Sequence, residues 1–202
     1  MYKIEFDNES PFERFHSKDA DGQVLVHLIN LICPEDAIGI EVGVFTAETY
    51  CTLLQNCPNI KYLYGVDNYK PYADYLKEPY DGTPAYHCDA KTIDFVEHIA
   101  IHNIEWSGKK EKAQIIKKDS SIAKNDFADE FADFIFIDTY LSLEQAEIDL
   151  ADWYPKLKRG GIFSGHDWNA PVIQQAVNRF RELNKIESKL SIFDNTWVWI
   201  KD

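Results

Sequence analysis

Short apolar runs, each stopping at a polar residue or a glycine, alternate with helical patterns from about residue 20 to residue 185. That alternation constrains the fold most, because parallel strands buried on both faces need crossover helices between them. The runs predict strands at 38–44 (IGIEVGV), 62–67 (YLYGVD), 113–118 (AQIIKK), 133–138 (DFIFID) and 161–165 (GIFSG). Helical spacing is read over 23–32, 47–55, 91–104, 143–158 and 171–184. The fold class is therefore α/β, a Rossmann-like doubly wound sheet, mostly parallel, with helices on both faces. Residues 1–202 read as one domain, in which 1–36 form an N-terminal segment and helix.

Local signals sharpen three of these elements. Ser142, followed three positions later by Gln145, reads as a capping box ahead of Ala146, Leu150, Trp153 and Leu157, and Gly160-Gly161 is expected to end that helix. Pro171 stands at the tolerated first position of the last helix, whose buried stripe is read as Val172, Ala176, Phe180 and Leu183. In the tail, LSIFDNTWVWIKD holds two strand-like runs around Asp194-Asn195, residues that tolerate positive φ, which predicts an antiparallel C-terminal hairpin.

Composition excludes several classes of partner. No apolar run approaches the roughly 20 residues that span a bilayer, so no membrane partner is expected. A net charge of −13 argues against nucleic acid, whose binding relies on clustered Lys and Arg, and the basic stretch Lys109 to Lys118 reads as a solvated loop leading into a strand. Cys33, Cys51, Cys57 and Cys88 form no C-x-x-C pair, and the start MYKIEFDNES lacks the features of a secretory signal, so a cytoplasmic setting with reduced thiols is expected. Cys51 and Cys57 read as buried apolar side chains. Residues 68–90 carry five tyrosines and three prolines, far too long for an ordinary βα connection. They read either as a surface insertion or as a lid over a ligand crevice.

The loop after the first strand decides between ligands. A dinucleotide fold asks for G-x-G-x-x-G and a P-loop for G-K-[ST], but here Gly43 stands alone, followed by Val44, Phe45, Thr46 and Ala47. A lone glycine still lets the chain turn sharply beneath a ligand, and Glu41 would attract an amino or sulfonium cation and repel a phosphate. Asp67 closes the second strand 24 positions after Gly43, where an acid accepts from ribose hydroxyls, and Asp119-Ser120 closes the third. Each acid alone would serve equally well as a cap or a solvated side chain; three at successive strand ends point to a binding edge.

With these residues in hand, the chain resembles class I S-adenosylmethionine-dependent methyltransferases, in particular the small group of sugar and antibiotic O-methyltransferases. The resemblance rests on IEVGVFTAET, GVDNY, KKDS, DFIFIDTYLSLEQAEIDLADWYPKLKRGGIFSGHDW and TWVWIK. It implies a seven-stranded sheet with an antiparallel last strand. It also implies a cofactor, S-adenosylmethionine, with Glu41 and Gly43 at the methionine part, Asp67 at the ribose, Asp119 and Ser120 at the adenine, and Val44, Phe45, Thr46 and Asn68 as further cofactor-binding residues.

Methyl transfer from a sulfonium needs nucleophile, methyl and sulfur held in line, and a hydroxyl acceptor also needs a base or a metal. Asp138 and Asp167 close the fourth and fifth strands, and as neighbouring oxygen ligands they suit Mg²⁺. Relatives commonly carry Asp-Gly-x-His after the fourth strand, whereas this chain reads Asp138-Thr139-Tyr140-Leu141. The catalytic candidates are therefore Asp138 and His166, the latter as base, metal ligand or structural residue. The acceptor class is a small molecule or sugar; the sequence leaves the oligomeric state open. A non-catalytic cofactor-binding module and a nicotinamide-dependent oxidoreductase are the alternatives, the first favoured by the missing histidine and the second opposed by the missing glycines.

Overall fold

The computed structural model describes residues 20–71, 90–139 and 142–202. In chain order the elements are α1 (Ala20–Ile32), β1 (Ala37–Val42), α2 (Glu48–Asn56), β2 (Ile60–Asp67), α3 (Ala90–Trp106), β3 (Ala113–Lys117) and α4 (Ser120–Ala123). There follow β4 (Ala132–Ile137), α5 (Leu143–Trp153), β5 (Leu157–Gly165), α6 (Pro171–Leu183), β6 (Ser191–Phe193) and β7 (Thr196–Ile200). One seven-stranded sheet runs in the order β3-β2-β1-β4-β5-β7-β6. Its first five strands pair in parallel, and β7 runs antiparallel to both β5 and β6.

The two-residue period of the strands divides the core. Ile40, Val42, Ile135 and Ile137 pack with Leu150, Trp153, Ile173 and Val177 of α5 and α6. Phe134 and Phe136 point the other way, into a cluster with Leu25, Ile29, Leu53, Val96 and Ala100 of α1, α2 and α3. A substitution that empties either cluster removes packing as well as transferred area. Because β1 sits between β2 and β4, the chain leaves its two sides in opposite directions, which opens a crevice at the carboxyl end of β1.

Three local expectations are corrected. Helix α5 stops at Trp153, and a 3₁₀ turn containing Pro155 follows, because proline has no N–H to continue the ladder. Leu157 therefore opens β5 opposite Ala132, and Gly160-Gly161 lie inside that strand, with Gly160 at φ +76°, at an irregularity between Ala132 and Phe134 of β4. The buried stripe of α6 is Ile173, Ala176 and Val177, rotated from the expected one, and Leu183 is 72% exposed. The capping box is half formed: Ser142 Oγ accepts from Gln145 N at 3.0 Å, while the Gln145 side chain turns elsewhere, to Ser120 and Asp149. The hairpin stands as expected, with Asp194 at φ +51° in its turn. Most of the 68–90 segment, from 72 to 89, lies outside the described residues, as do Tyr140 and Leu141.

Candidate functional site

The first strand ends against the fourth. Gly43 N donates to Val66 O at 2.8 Å and Asp138 N donates to Val42 O at 2.7 Å, so the β1 end is stitched to both neighbours. Gly43 has φ +88°, and a Cβ there would lie 1.8 Å from the Asp138 carbonyl oxygen. Only glycine allows this approach, which explains why β1 stops at Val42 rather than at the expected Val44. Phe45, Ala47, Tyr69 and Asp167 also take positive φ at this edge of the sheet. Non-glycine residues held there mark a backbone shaped by its surroundings.

Asp67 organises this loop. Its Oδ2 accepts from Val44 N at 2.9 Å and Phe45 N at 3.0 Å, and its Oδ1 accepts from Tyr69 N at 2.8 Å. Tyr69 Oη then donates to Phe45 O at 3.0 Å, locking the two loops together. Burial raises the Asp67 carboxyl above its usual range, while the three backbone donors oppose that shift. A carboxylate has about four lone-pair positions, so with three in use it keeps room for one more donor.

A cleft of about 870 Å³, its open mouth included, lies over these strand ends. Its lining includes Gly43, Phe45, Asp67, Asn68, Asp119, Ser120, Asp138 and Thr139. Of the residues expected to hold a cofactor, six thus meet in one place. Three do not reach its surface: Glu41, Val44 and Thr46 are buried, at 2%, 3% and 4% exposure. Glu41 lies within β1, one residue short of its end, so alternation turns it into the sheet face opposite Ile40 and Val42. Its Oε2 has no hydrogen-bond partner among the described residues. Burial, with the nearby Asp138 and Asp67 carboxylates, pushes its carboxyl well above the usual range.

Beneath the cleft sits a residue that sequence reasoning passed over. Asp149 of α5 is fully buried and accepts from Ser120 Oγ at 2.6 Å, Thr139 Oγ1 at 2.7 Å and Gln145 Nε2 at 3.1 Å. The only sequence signal was an acid on the apolar side of an amphipathic helix.

At the other side of Asp138 the carboxyl ends of β4 and β5 assemble a second group. His166 Nδ1 lies 3.0 Å from Asp167 Oδ1 and 3.6 Å from Asp138 Oδ1. One ligand atom from each of these three residues falls within a mutual 4.8 Å. Octahedral bonds of about 2.1 Å put adjacent ligand atoms about 3.0 Å apart and opposite ones about 4.2 Å apart. The two carboxylates suit a divalent cation, and the Asp138 side chain, 39% exposed, has the freedom to close the remaining difference. Asp138 lines both the large cleft and the smaller pocket that contains His166 and Asp167.

Asn195, read from the sequence only as a turn residue, braces this group. Its Nδ2 lies 3.3 Å from His166 Nε2 and 3.4 Å from Asp167 Oδ1. Its Oδ1 accepts from Asn169 N, and its backbone carbonyl accepts from Trp168 N. Facing an amide donor, His166 Nε2 is set as an acceptor, which leaves the ring proton on Nδ1, toward Asp167.

Comparison with known proteins bears on this geometry. Residues 38–168 match a family described as a methyltransferase domain. No curated protein matches the chain. Among solved structures, the chain is similar to the O-methyltransferase NovP, at TM-score 0.65 and 16% identity over 89% of this chain and 77% of that one. It is also similar to cofactor-bound Rv0187 from MTB, at TM-score 0.60 and 11% identity over 95% and 88% of the two chains. A precorrin 8W decarboxylase from Methanobacterium thermoautotrophicum is similar at TM-score 0.56 and 12% identity, over 89% and 90%. At such identities the likeness is one of fold.

Proposed function

We propose, from the premise that this chain belongs to the methyltransferase domain family, that it moves the methyl group of S-adenosylmethionine to a hydroxyl of a small molecule or sugar. The chain is a methyltransferase of the S-adenosylmethionine-dependent type; the hydroxyl acceptor and the assisting divalent cation are the proposed parts. One observation carries them. Asp138 belongs at once to the cleft over the first three strand ends and to the cluster with His166 and Asp167, so the two sites adjoin.

The residues of the cleft suit the cofactor's chemistry. Asp67 keeps one acceptor position for a ribose hydroxyl, and Asp119 with Ser120 offers acceptors for an adenine amino group. Phe45, 38% exposed, gives an apolar surface. The cofactor supplies an electrophilic methyl on a sulfonium. Asp138 and Asp67 place acidic groups beside the loop that suit a cation rather than a phosphate.

Asp138 and Asp167 would hold Mg²⁺ or a similar ion, and His166, with its ring proton on Nδ1, would steady the two carboxylates. Such an ion lowers the pKa of a coordinated hydroxyl, which is what a neutral alcohol needs to become a nucleophile. The residues themselves orient: His166 bridges the two carboxylates, and Asn195 fixes the ring from the hairpin. The base role that the sequence also allows for His166 would call on its Nε2 lone pair, which Asn195 already meets. Buried thiols at Cys51 and Cys57 support a reducing, cytoplasmic setting, and no helix of the described residues is long and apolar enough to cross a membrane.

Calorimetry with S-adenosylhomocysteine and with NAD tests the cofactor, and labelled S-adenosylmethionine with a panel of hydroxylated acceptors tests the transfer. Binding at micromolar to submillimolar strength, with no heat from NAD, is expected. Tight NAD binding, or no heat from either S-adenosyl compound, overturns the reading. Binding without transfer to any acceptor would leave the non-catalytic module as the better account.

A further inference from the structure

We propose that Asp149 is a positioning residue that sets the hydrogen-bonding polarity of the cleft wall, so that the cleft selects a ligand offering N–H donors there over one offering a carbonyl. The proposal rests on the cofactor reading above and deepens it.

An ionised carboxylate only accepts hydrogen bonds, and a hydroxyl has a single proton to give. Ser120 Oγ and Thr139 Oγ1 both spend that proton on Asp149, at 2.6 and 2.7 Å. What they show the cleft, which both line, is lone pairs alone. Gln145, also on the lining, donates through Nε2 to Asp149 Oδ1 at 3.1 Å and to Ser120 Oγ at 3.2 Å. Two acceptors around one amide nitrogen set the amide's orientation, and because they lie 2.6 Å from each other they share one of its N–H groups, which leaves the second N–H and Oε1 as its remaining polar atoms. Asp119 adds a carboxylate beside them, itself accepting from Ser121 Oγ at 3.0 Å and Asn68 Nδ2 at 3.4 Å.

One buried group on α5 thus turns the hydroxyls of α4 and the β4 end into acceptors. An exocyclic amino group, as on adenine, meets this wall with donors. A carbonyl at the same position, as on hypoxanthine, meets it lone pair to lone pair. In Asp149→Asn the amide has one acceptor oxygen for three donors, so a hydroxyl proton is released to face the cleft.

The test compares S-adenosylhomocysteine with S-inosylhomocysteine by calorimetry on the intact protein. The wild type should bind the inosyl compound at least about tenfold more weakly, the equivalent of one good hydrogen bond lost. In Asp149→Asn that ratio should shrink several-fold. A purely structural Asp149 would weaken both ligands alike and leave the ratio unchanged, which overturns the proposal. Should Asp149→Asn not fold, Ser120→Ala decides the matter instead: removing an acceptor should weaken the adenosyl compound more than the inosyl one, and an unchanged ratio overturns the proposal. A wild type that binds both equally also overturns it, whereas a wild type that binds neither defeats the cofactor reading itself.

Discussion

Asp67→Ala separates two duties of one carboxylate. In the folded protein Asp67 satisfies the amides of Val44, Phe45 and Tyr69. Val44 and Tyr69 are buried, at 3% and 8% exposure, so their N–H groups find no water when the acceptor goes, whereas Phe45 is exposed. An unsatisfied buried donor costs about 1–3 kcal/mol, so the two together should cost about 2–6 kcal/mol of stability. Against a typical total of about 5–15 kcal/mol that is a large loss, plainly visible as a lower urea midpoint with an unchanged slope. The second duty is proposed: an acceptor position for the ribose. Losing a hydrogen bond to a charged group, about 1.5–3 kcal/mol, should weaken S-adenosylhomocysteine about 10- to 150-fold in a variant that is still folded. Hydrogen exchange at residues 44, 45 and 69 reports the first duty, and calorimetry well below the midpoint reports the second. Unchanged exchange and midpoint would refute the tether; an unchanged Kd would refute the ribose contact.

Gly43→Ala should be destabilising by about 2–5 kcal/mol, the sum of a left-handed backbone cost and a packing clash against the Asp138 carbonyl 1.8 Å away; a thermal melt matching the wild type would contradict it. Glu41→Gln probes pH. Because the folded carboxyl is raised well above its usual range, the stability Glu41 contributes is complete below the unfolded value near pH 4 and is lost as pH rises through the folded one. The variant should therefore gain on the wild type as pH rises from acidic to alkaline, and parallel melting curves across that range would contradict this. Once an acceptor is known, chelator should abolish transfer and Mg²⁺ or Mn²⁺ restore it, while full turnover by Asp167→Asn in chelator would remove the metal from the mechanism. Asn195→Ala, which frees His166 and the 166–169 loop, should lower transfer with little change in S-adenosylhomocysteine affinity, measured side by side.

What the sequence determined is what short-range patterning can determine. The two-residue period of DFIFID, the helical spacing after Ser142, Pro171 at a helix start and Asp194-Asn195 in a turn act within a few residues of themselves, so strand order apart, the α/β alternation and the closing hairpin were legible. So were the strand-end residues Asp67, Asp119, Asp138 and Asp167, because a parallel sheet gathers its carboxyl ends along one edge. Pro155 could have warned that the 143–158 pattern was too long for one helix, but Leu157 fitted both periods, and only pairing with Ala132 chose the strand. Tertiary structure alone decided which side chains meet. Asp149 reaches Ser120 across 29 positions, Asn195 reaches His166 across 29, and Gly43 presses on Asp138 from another strand. It also turned Glu41 into the core while its neighbours reached the cleft. Hydrogen bonds and close contacts between distant segments depend on register and on the close approach of two backbones, and neither leaves a period in the chain.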